Sequence, residues 1–152
     1  MAHLRRLDRV WIESPIYFVT TCTHQRERIL DSQRVADILI AEWHAARERH
    51  GWLIGRYVIM PDHVHFFAAP EPDAASLSKL MQMWKQWTAK AIAKELGVRA
   101  PFWQKEFFDH LLRSHESYAQ KWEYVHDNPV RAGLVSRAED WPYAGEIESL
   151  RL

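Results

Sequence analysis

The sequence predicts an α+β fold, an antiparallel sheet with helices packed across one face, on the basis of three observations. Short segments rich in β-branched and aromatic residues alternate with two long segments in which apolar residues recur at helical spacing. Two of the short segments are separated only by a Pro-Asp turn at 61–62, which predicts a hairpin. The 152 residues, 47% of them hydrophobic, suffice for one core, so we expect a single domain over 1–152.

The predicted elements follow one another in the order β, α, β, β, α, β, α, which is typical of ferredoxin-like (RRM-like) sheets. Glycines at 51 and 97 are predicted to end the two long helices, and the Asn-Pro pair at 128–129 interrupts the last helix. The segment 102–112 is predicted as a strand or an irregular extended chain, with a helix as the alternative. The predicted strands are 16–23, 52–60, 63–69 and 102–112, and the helices are 33–50, 75–96 and a segment from 114 or 117 to 126.

Composition and charge restrict the class of protein. Cys22 is the only cysteine, which excludes an internal disulfide, and no run approaches the roughly 18 apolar residues of a membrane span. The start Met-Ala-His-Leu-Arg-Arg has no apolar signal region, so we expect a cytoplasmic protein without a membrane partner. The formal net charge is zero, although the middle of the chain and its amino end are basic. Charge alone therefore neither predicts nor excludes binding to nucleic acid.

Two histidines one residue apart, His63 and His65, lie in the apolar run on the second arm of the hairpin. Alternation along a strand directs both imidazoles to one face and Val64 and Phe66 to the other. Histidines at this spacing are often solvated residues on a sheet face, but the apolar surroundings predict a central, buried strand here. Buried imidazoles need partners, and a shared metal ion is one. Two side chains leave such an ion under-coordinated, so a third ligand or water is needed.

A tyrosine and an asparagine four residues apart, Tyr124 and Asn128, share one helical face if the last helix extends that far. The amide oxygen could then reach the same ion, and the phenol could attack a phosphodiester held there to give a covalent phosphotyrosine. The structural alternatives are a core-edge role for Tyr124 and an N-cap role for Asn128 before Pro129. Tyr118 is the rival nucleophile, with Trp122 rather than an amide four residues further on.

Four sequence blocks, spread over nearly the whole chain, carry a resemblance to a known family. They are Tyr17-Phe-Val-Thr-Thr-Cys-Thr with Arg26 and Arg28 following, Tyr57-Val-Ile-Met-Pro-Asp-His-Val-His65, Phe102-Trp-Gln with Phe108-Asp-His-Leu-Leu-Arg113, and Glu123-Tyr-Val-His-Asp-Asn-Pro-Val-Arg-Ala-Gly-Leu134. With these blocks the chain resembles the single-tyrosine HUH transposases, and among them the REP-associated tyrosine transposases of bacteria. The second and fourth blocks are highly specific when they occur together.

The resemblance implies an HUH-type endonuclease and strand transferase that acts on single-stranded DNA with Mg²⁺ or Mn²⁺ and without a nucleotide cofactor. It assigns His63 and His65 as metal ligands, Tyr124 as the catalytic nucleophile and Asn128 as the third ligand. Insertion-sequence relatives commonly carry glutamine at that place, so asparagine shortens the reach by one methylene. The implied substrates are repetitive extragenic palindromes that fold into hairpins. Cleavage in their single-stranded flank would give a 5′-phosphotyrosine, and the enzyme would act as a monomer or a homodimer.

Basic residues at two places are expected to contact DNA phosphates, by analogy with that family. Two other functions compete, a non-catalytic hairpin-binding protein on the same fold and a small zinc hydrolase that uses water as its nucleophile. A pure binding protein has no need of His63, His65 and Tyr124 together, and a zinc hydrolase leaves the Tyr124 block unexplained. The expected DNA contacts are Arg5, Arg6 and Arg9 in the amino-terminal arm and Lys79, Lys90 and Lys94 on the second long helix.

Overall fold

A five-stranded antiparallel sheet with helices on both faces forms the fold of residues 16–151, which are the residues that the computed structural model describes. The strands lie in the order β4-β1-β3-β2-β5, so β3 is central, and the first four follow the ferredoxin-like order. The predicted α+β class is confirmed. The elements are β1 (Ile16–Cys22), α1 (Gln33–His50), β2 (Trp52–Ile59), β3 (His63–Pro70), α2 (Leu77–Leu96), β4 (Phe108–Leu112), α3 (His115–His126), α4 (Asn128–Arg131) and β5 (Ala144–Glu146), with 3₁₀ turns at His24–Arg26 and Ala138–Asp140.

Both long helices begin and end at residues whose chemistry suits a helix terminus. The hydroxyl of Ser32 accepts a hydrogen bond from the backbone N–H of Val35 at the start of α1, and Ser76 caps α2 in the same way. Gly51 and Gly97 end these helices with φ values of 75° and 69°, the left-handed conformation that glycine adopts without strain. The bounds of α1 are those predicted, and α2 begins two residues later than predicted because Ser76 is its cap.

The sheet separates two apolar layers. On one face, Val64 and Phe66 of β3 pack beneath α1 and α2, which contribute Trp43 and Trp84 to the same cluster. The rings of Trp43 and Trp84 stack with their centroids 5.4 Å apart, and this contact joins the two helices over the sheet. On the other face, Phe67 belongs to a second cluster. Alternation along β3 therefore divides its side chains between the two layers.

Helix α3 adds a layer that the sequence did not predict. The prediction of helices on one face holds for α1 and α2, whereas α3 crosses the opposite face. There Tyr118 and Trp122 pack edge-on against Phe67, with ring centroids 4.8 and 6.2 Å apart. The physical reason is that Phe67 continues the histidine face of β3 and offers apolar area that an amphipathic helix can bury. As a result, α3 lies on the same sheet face as His63 and His65.

The two edge strands differ from the prediction. Strand β4 is shorter than predicted, and β5 was not predicted. The segment 102–112 forms a strand only from Phe108, while Trp103 makes an isolated bridge to Thr23. Strand β5 was not predicted because it has three residues and no apolar alternation. It pairs with β2 at Gly145, where a Cβ would lie 2.7 Å from the hydroxyl of Tyr57, so any other residue there would force the Tyr57 ring to shift. Within residues 16–151 no helix has the length and apolar character needed to cross a bilayer.

Trp43→Ala is expected to lower the free energy of unfolding by about 3–5 kcal/mol, because it removes a buried indole that packs against both the sheet and α2. Trp87→Ala on α2 is the matched control, since Trp87 is 44% exposed, and it should cost less than about 1 kcal/mol. Urea unfolding followed by circular dichroism measures both values. Equal losses in the two variants would contradict the central position of Trp43.

Candidate metal and tyrosine site

His63 and His65 project from the same face of β3, with ring centroids 4.8 Å apart and ring planes nearly perpendicular. Phe18 of the neighbouring strand β1 stacks on the His65 ring at 5.3 Å. The His63 side chain is 15% exposed, and His65 is half-buried. A central strand thus holds two imidazoles side by side on a rigid support, with access from one side of the sheet.

Each imidazole has a hydrogen-bond partner at Nδ1. The Nδ1–H of His63 donates to Asp62 Oδ1 at 2.8 Å, and Asp62 Oδ2 accepts from Arg26 Nε at 2.8 Å. The Nδ1 of His65 shares a hydrogen bond of 2.7 Å with Thr20 Oγ1. Partners at Nδ1 leave both Nε2 atoms available, which is the usual arrangement of histidines that bind a metal ion.

Burial favours the neutral form of both histidines. Desolvation lowers the pKa of His63, and the carboxylate of Asp62 opposes this effect. Burial, together with the smaller effects of the charges of His63, Lys121 and Arg131, lowers the pKa of His65 to about 3. A metal ion binds the neutral imidazole, so this environment keeps the pair in its ligand form at neutral pH.

A strained turn holds Arg26 against Asp62. Gln25 and Arg26 both have positive φ values, 56° and 55°. This left-handed conformation costs about 1–2 kcal/mol for each residue that is not glycine. The turn is fixed by Thr23, whose backbone N–H donates to the carbonyl of Asp62 at 3.0 Å. Burial alone would raise the pKa of Asp62, but hydrogen bonds from His63 and Arg26 outweigh it and lower the pKa. The carboxylate therefore stays charged and orients the His63 ring.

Tyr124 lies in the last turn of α3 and is 62% exposed. The next residue, Val125, is buried in a cluster with Val58, and Val58 is the register partner of His65 on the same sheet face. The end of α3 therefore reaches the level of the histidine pair. Its exposed phenol is accessible to a large substrate such as a DNA strand.

Two cations connect Tyr124 with the histidine pair. The Arg131 guanidinium lies over the Tyr124 ring, 3.9 Å from its centroid. Lys121 Nζ lies 5.1 Å from the centre of Phe18, the ring that stacks on His65. Both cations lower the pKa of His65 through their charge, which shows that they lie near it. An exposed phenol, two neutral imidazoles and two cations form a suitable environment for a phosphodiester.

The rival tyrosine, Tyr118, is a core residue. Its side chain is buried against Phe67 on the same face of the sheet. Burial raises the pKa of the Tyr118 hydroxyl to about 12. A buried phenol that ionises with difficulty is a poor nucleophile, so the geometry favours Tyr124.

Tyr124 and Asn128 do not belong to one uninterrupted helix, which was the condition for their predicted common face. Helix α3 ends at His126 and α4 begins at Asn128, because Pro129 has no N–H to donate to the preceding turn. Asp127, not Asn128, occupies the N-cap position of α4, so the Asn128 amide does not serve as the cap. Asn128 is half-buried, and its role as a ligand stays a prediction.

The donor set suits an ion with open positions. Within residues 16–151 no group of three His, Cys, Asp or Glu side chains is placed to hold a metal ion. An ion bound to His63 and His65 would therefore take its remaining ligands from the Asn128 amide, from water or from the substrate.

The predicted DNA contacts lie apart from the histidine pair. The three lysines are exposed on α2, which packs on the opposite face of the sheet. The structure therefore does not bring them together with His63 or Tyr124. These lysines are Lys79, Lys90 and Lys94, and the other predicted contacts, Arg5, Arg6 and Arg9, lie outside the described residues.

Sequence reasoning missed the cations and the hydroxyl that adjoin the site. Thr20 faces His65 only through the pairing of β1 with β3, and that register is not visible in the sequence. Arg26 and Arg131 lie within the matched blocks, but their partners depend on the local backbone. Lys121 was detectable, because it stands three residues before Tyr124 and residues at that spacing share a helical face.

Known proteins share this sequence pattern and fold. A family model described as "Transposase IS200 like" matches residues 12–128, a range that includes the histidine pair, Tyr124 and Asn128. The REP-associated tyrosine transposase of Escherichia coli K12 is 27% identical over 137 residues, which are 90% of this chain and 79% of that protein.

Two solved structures resemble this chain. The structure of a REP-associated tyrosine transposase bound to a REP hairpin matches with a TM-score of 0.69 and 25% identity, over 88% of this chain and 78% of that one. A crystal structure of a Deinococcus radiodurans protein has a TM-score of 0.56 at 19% identity and covers 74% of this chain and 88% of its own. The second likeness concerns the fold alone.

Asp62→Asn is expected to weaken Mn²⁺ binding about 10- to 100-fold, because the amide neither carries the charge nor accepts as strongly from His63. The matched control is Asp73→Asn, which changes an exposed carboxylate in the connection between β3 and α2 and should leave the affinity unchanged. Isothermal titration calorimetry measures both affinities. Wild-type affinity in Asp62→Asn would contradict the orienting role of this carboxylate.

The stability of the metal-free protein is expected to fall as the pH drops below about 6.5, the pKa of a histidine in an unfolded chain. Burial lowers the pKa of His65 to about 3 in the folded state. Between these values the unfolded state binds a proton that the folded state excludes, so acid favours unfolding. Urea unfolding with a chelator present measures this dependence, and His65→Gln should show a shallower decline. An unchanged slope in that variant would contradict the burial of a neutral His65.

Proposed function

Because the chain belongs to the IS200-like transposase family, we propose that it is a metal-dependent endonuclease and strand transferase of single-stranded DNA. The observation that carries this proposal is the common location of three groups on one sheet face. Two imidazoles with occupied Nδ1 atoms, an exposed tyrosine and two cations all lie on the side covered by α3. Each group matches one requirement of phosphodiester cleavage by a tyrosine.

The metal proposal rests on the donor chemistry of the histidine pair. His63 and His65 would hold a divalent ion, Mg²⁺ or Mn²⁺, through Nε2, with the amide oxygen of Asn128 as the third protein ligand. Their low pKa values and their partners at Nδ1 fit this role. When bound, the ion supplies charge neutralisation at the phosphodiester and helps to orient the scissile bond.

The tyrosine proposal describes one displacement at phosphorus. The Tyr124 Oη attacks the scissile phosphate and gives up its proton, the bond from phosphorus to the 3′ oxygen breaks, and the departing 3′ oxygen takes up one proton. A 5′-phosphotyrosine and a free 3′-hydroxyl result. Arg131, whose guanidinium lies over the Tyr124 ring, and Lys121 offer two cations to the phosphate oxygens. Attack by a 3′-hydroxyl on the phosphotyrosine restores a phosphodiester, so no nucleotide cofactor is required.

The proposed substrate is a DNA hairpin with a single-stranded flank. The related transposase of known structure was solved with a REP hairpin, which supports the same class of partner for this chain. The lysines of α2 lie on the face opposite to Tyr124, so they are not placed to contact the scissile strand.

The geometry of Asp62 argues against a zinc hydrolase. Such an enzyme needs a carboxylate base beside the histidines, and Asp62 is next to His63, but both of its carboxylate oxygens are engaged, one by His63 and the other by Arg26. A carboxylate held in two charge-assisted hydrogen bonds is poorly suited to accept a proton from water.

Incubation of the purified protein with labelled hairpin DNA and Mn²⁺ is expected to give a covalent protein–DNA adduct on a denaturing gel. Tyr124→Phe should abolish the adduct, because it removes the attacking oxygen. Tyr118→Phe is the matched control and should retain the adduct, since that hydroxyl is buried. Hairpin binding without an adduct in any divalent metal would instead indicate a non-catalytic binding protein on the same fold.

A further inference from the structure

Tyr124 lies between two grooves of different charge. The first, which we call the β4 groove, runs between β4 and α3 and is lined by polar groups that include His110, Ser117 and Lys121. The second, the acidic groove, lies on the other side of Tyr124. Its lining includes Glu123, Asp127 and Glu139 together with His126 and Arg131.

The charges of the two grooves favour the β4 groove for a polyanion. Among the described residues that line it, Lys121 is charged and none is a carboxylate. In the acidic groove three carboxylates face one guanidinium, and that Arg131 is 3.8 Å from Asp127. A strand with one negative charge per phosphate would be repelled by the second groove and attracted by the first.

An exposed aromatic side chain stands beside the β4 groove. Phe108 is 68% exposed on the edge strand β4, although phenylalanine is usually buried. Its register partner on β1 is Thr20, and Thr20 is the register partner of His65, so all three residues lie in one row on the same sheet face. His110 is the next residue of β4 on this face. One strand, β1, separates Phe108 from His65, so their backbones lie two strand spacings apart, roughly 10 Å.

We propose that the single-stranded flank of the substrate runs along the β4 groove, with one unpaired base stacked on Phe108 and a phosphate bound by Lys121. This inference rests on the proposed function and adds the path of the strand to it. An exposed ring offers a stacking surface to any base, and Lys121 neutralises the backbone where the strand approaches Tyr124. The hairpin stem would then lie beyond the groove.

Photochemical crosslinking tests the path directly. Hairpin DNA with 5-iodouracil at successive positions of its flank is bound to the protein and irradiated. The modified tryptic peptides are then identified by mass spectrometry. We expect a crosslink to Phe108 in the peptide from Glu106 to Arg113. Crosslinks confined to the peptide from Ala138 to Arg151, which contributes Glu139 to the acidic groove, or to α1 and α2, would overturn the proposal.

Binding of the same DNA to two variants gives an independent readout. Phe108→Ala should weaken the affinity roughly tenfold or more by loss of stacking. Lys121→Gln should lower the slope of log affinity against log salt concentration by about 0.7, the contribution of one phosphate contact on a single strand. The controls are Trp87→Ala and Arg34→Gln on the opposite face, which should keep the wild-type affinity and slope.

The covalent adduct of the wild type, measured in parallel, separates the two proposals. If the wild type forms the adduct while Phe108→Ala and Lys121→Gln bind the flank as the controls do, the strand path is wrong and the proposed function stands. If the wild type forms no adduct, the proposed function fails. If the flank follows the β4 groove, Phe108→Ala requires a higher DNA concentration than the wild type to form the adduct, but it reaches the wild-type rate at saturating DNA. A loss of folding would not produce this result.

Discussion

The alternation of side chains along the central strand β3 is the constraint on which the rest of the structure depends. Val64 and Phe66 enter the core beneath α1 and α2, and this burial determines the register of the strand between β1 and β2. His63 and His65 must then face the other side, where Phe67 recruits α3. A shift of one residue would bury both imidazoles in the apolar core and expose the two hydrophobic side chains. The position of the site is therefore a consequence of the packing of the opposite face.

The polar partners of the histidines explain how a buried pair is tolerated. An imidazole that leaves water without a hydrogen bond is costly, and each ring here has one at Nδ1. The partner of His63 is itself held by Arg26, in a turn with two left-handed residues. This backbone strain has no evident benefit for packing, since Arg26 is exposed, but it orients Asp62 and through it the His63 ring. Local strain and the alignment of a ligand are thus linked.

Much of the fold could be predicted from the sequence because its signals are local. The helical spacing, the glycine caps and the Pro-Asp turn each act within a few residues, and the bounds of α1 follow from them. The face chosen by α3 could not be predicted, since it depends on which apolar area remains uncovered after β1, β2 and β3 pair. The short strand β5 was missed because its three residues show no apolar alternation, and its pairing with Tyr57 is a long-range contact.

The candidate site also contains residues that local signals predict and residues that only long-range contacts bring together. His63, His65 and Tyr124 were identified from spacing and from the resemblance to a family, whereas Thr20 was not, because the pairing of two strands that are distant in sequence brings it to His65. The excess of basic residues in the middle of the chain did not identify DNA-binding residues. Lys85, one of its cations, donates hydrogen bonds to the carbonyls of Gln104 and Glu106, at 2.7 and 2.8 Å. A count of charges does not distinguish a lysine that anchors a loop from one that meets DNA.

The distance between a bound ion and the Tyr124 ring tests the central claim most directly. Protein labelled with fluorotyrosine gives separate ¹⁹F resonances for its five tyrosines, and Tyr124→Phe identifies that of Tyr124. Added Mn²⁺ is expected to broaden the Tyr124 resonance strongly, and His63→Ala together with His65→Ala should abolish this broadening. A Tyr124 resonance that stays sharp while Mn²⁺ occupies the histidine pair would contradict a shared site for the metal and the nucleophile.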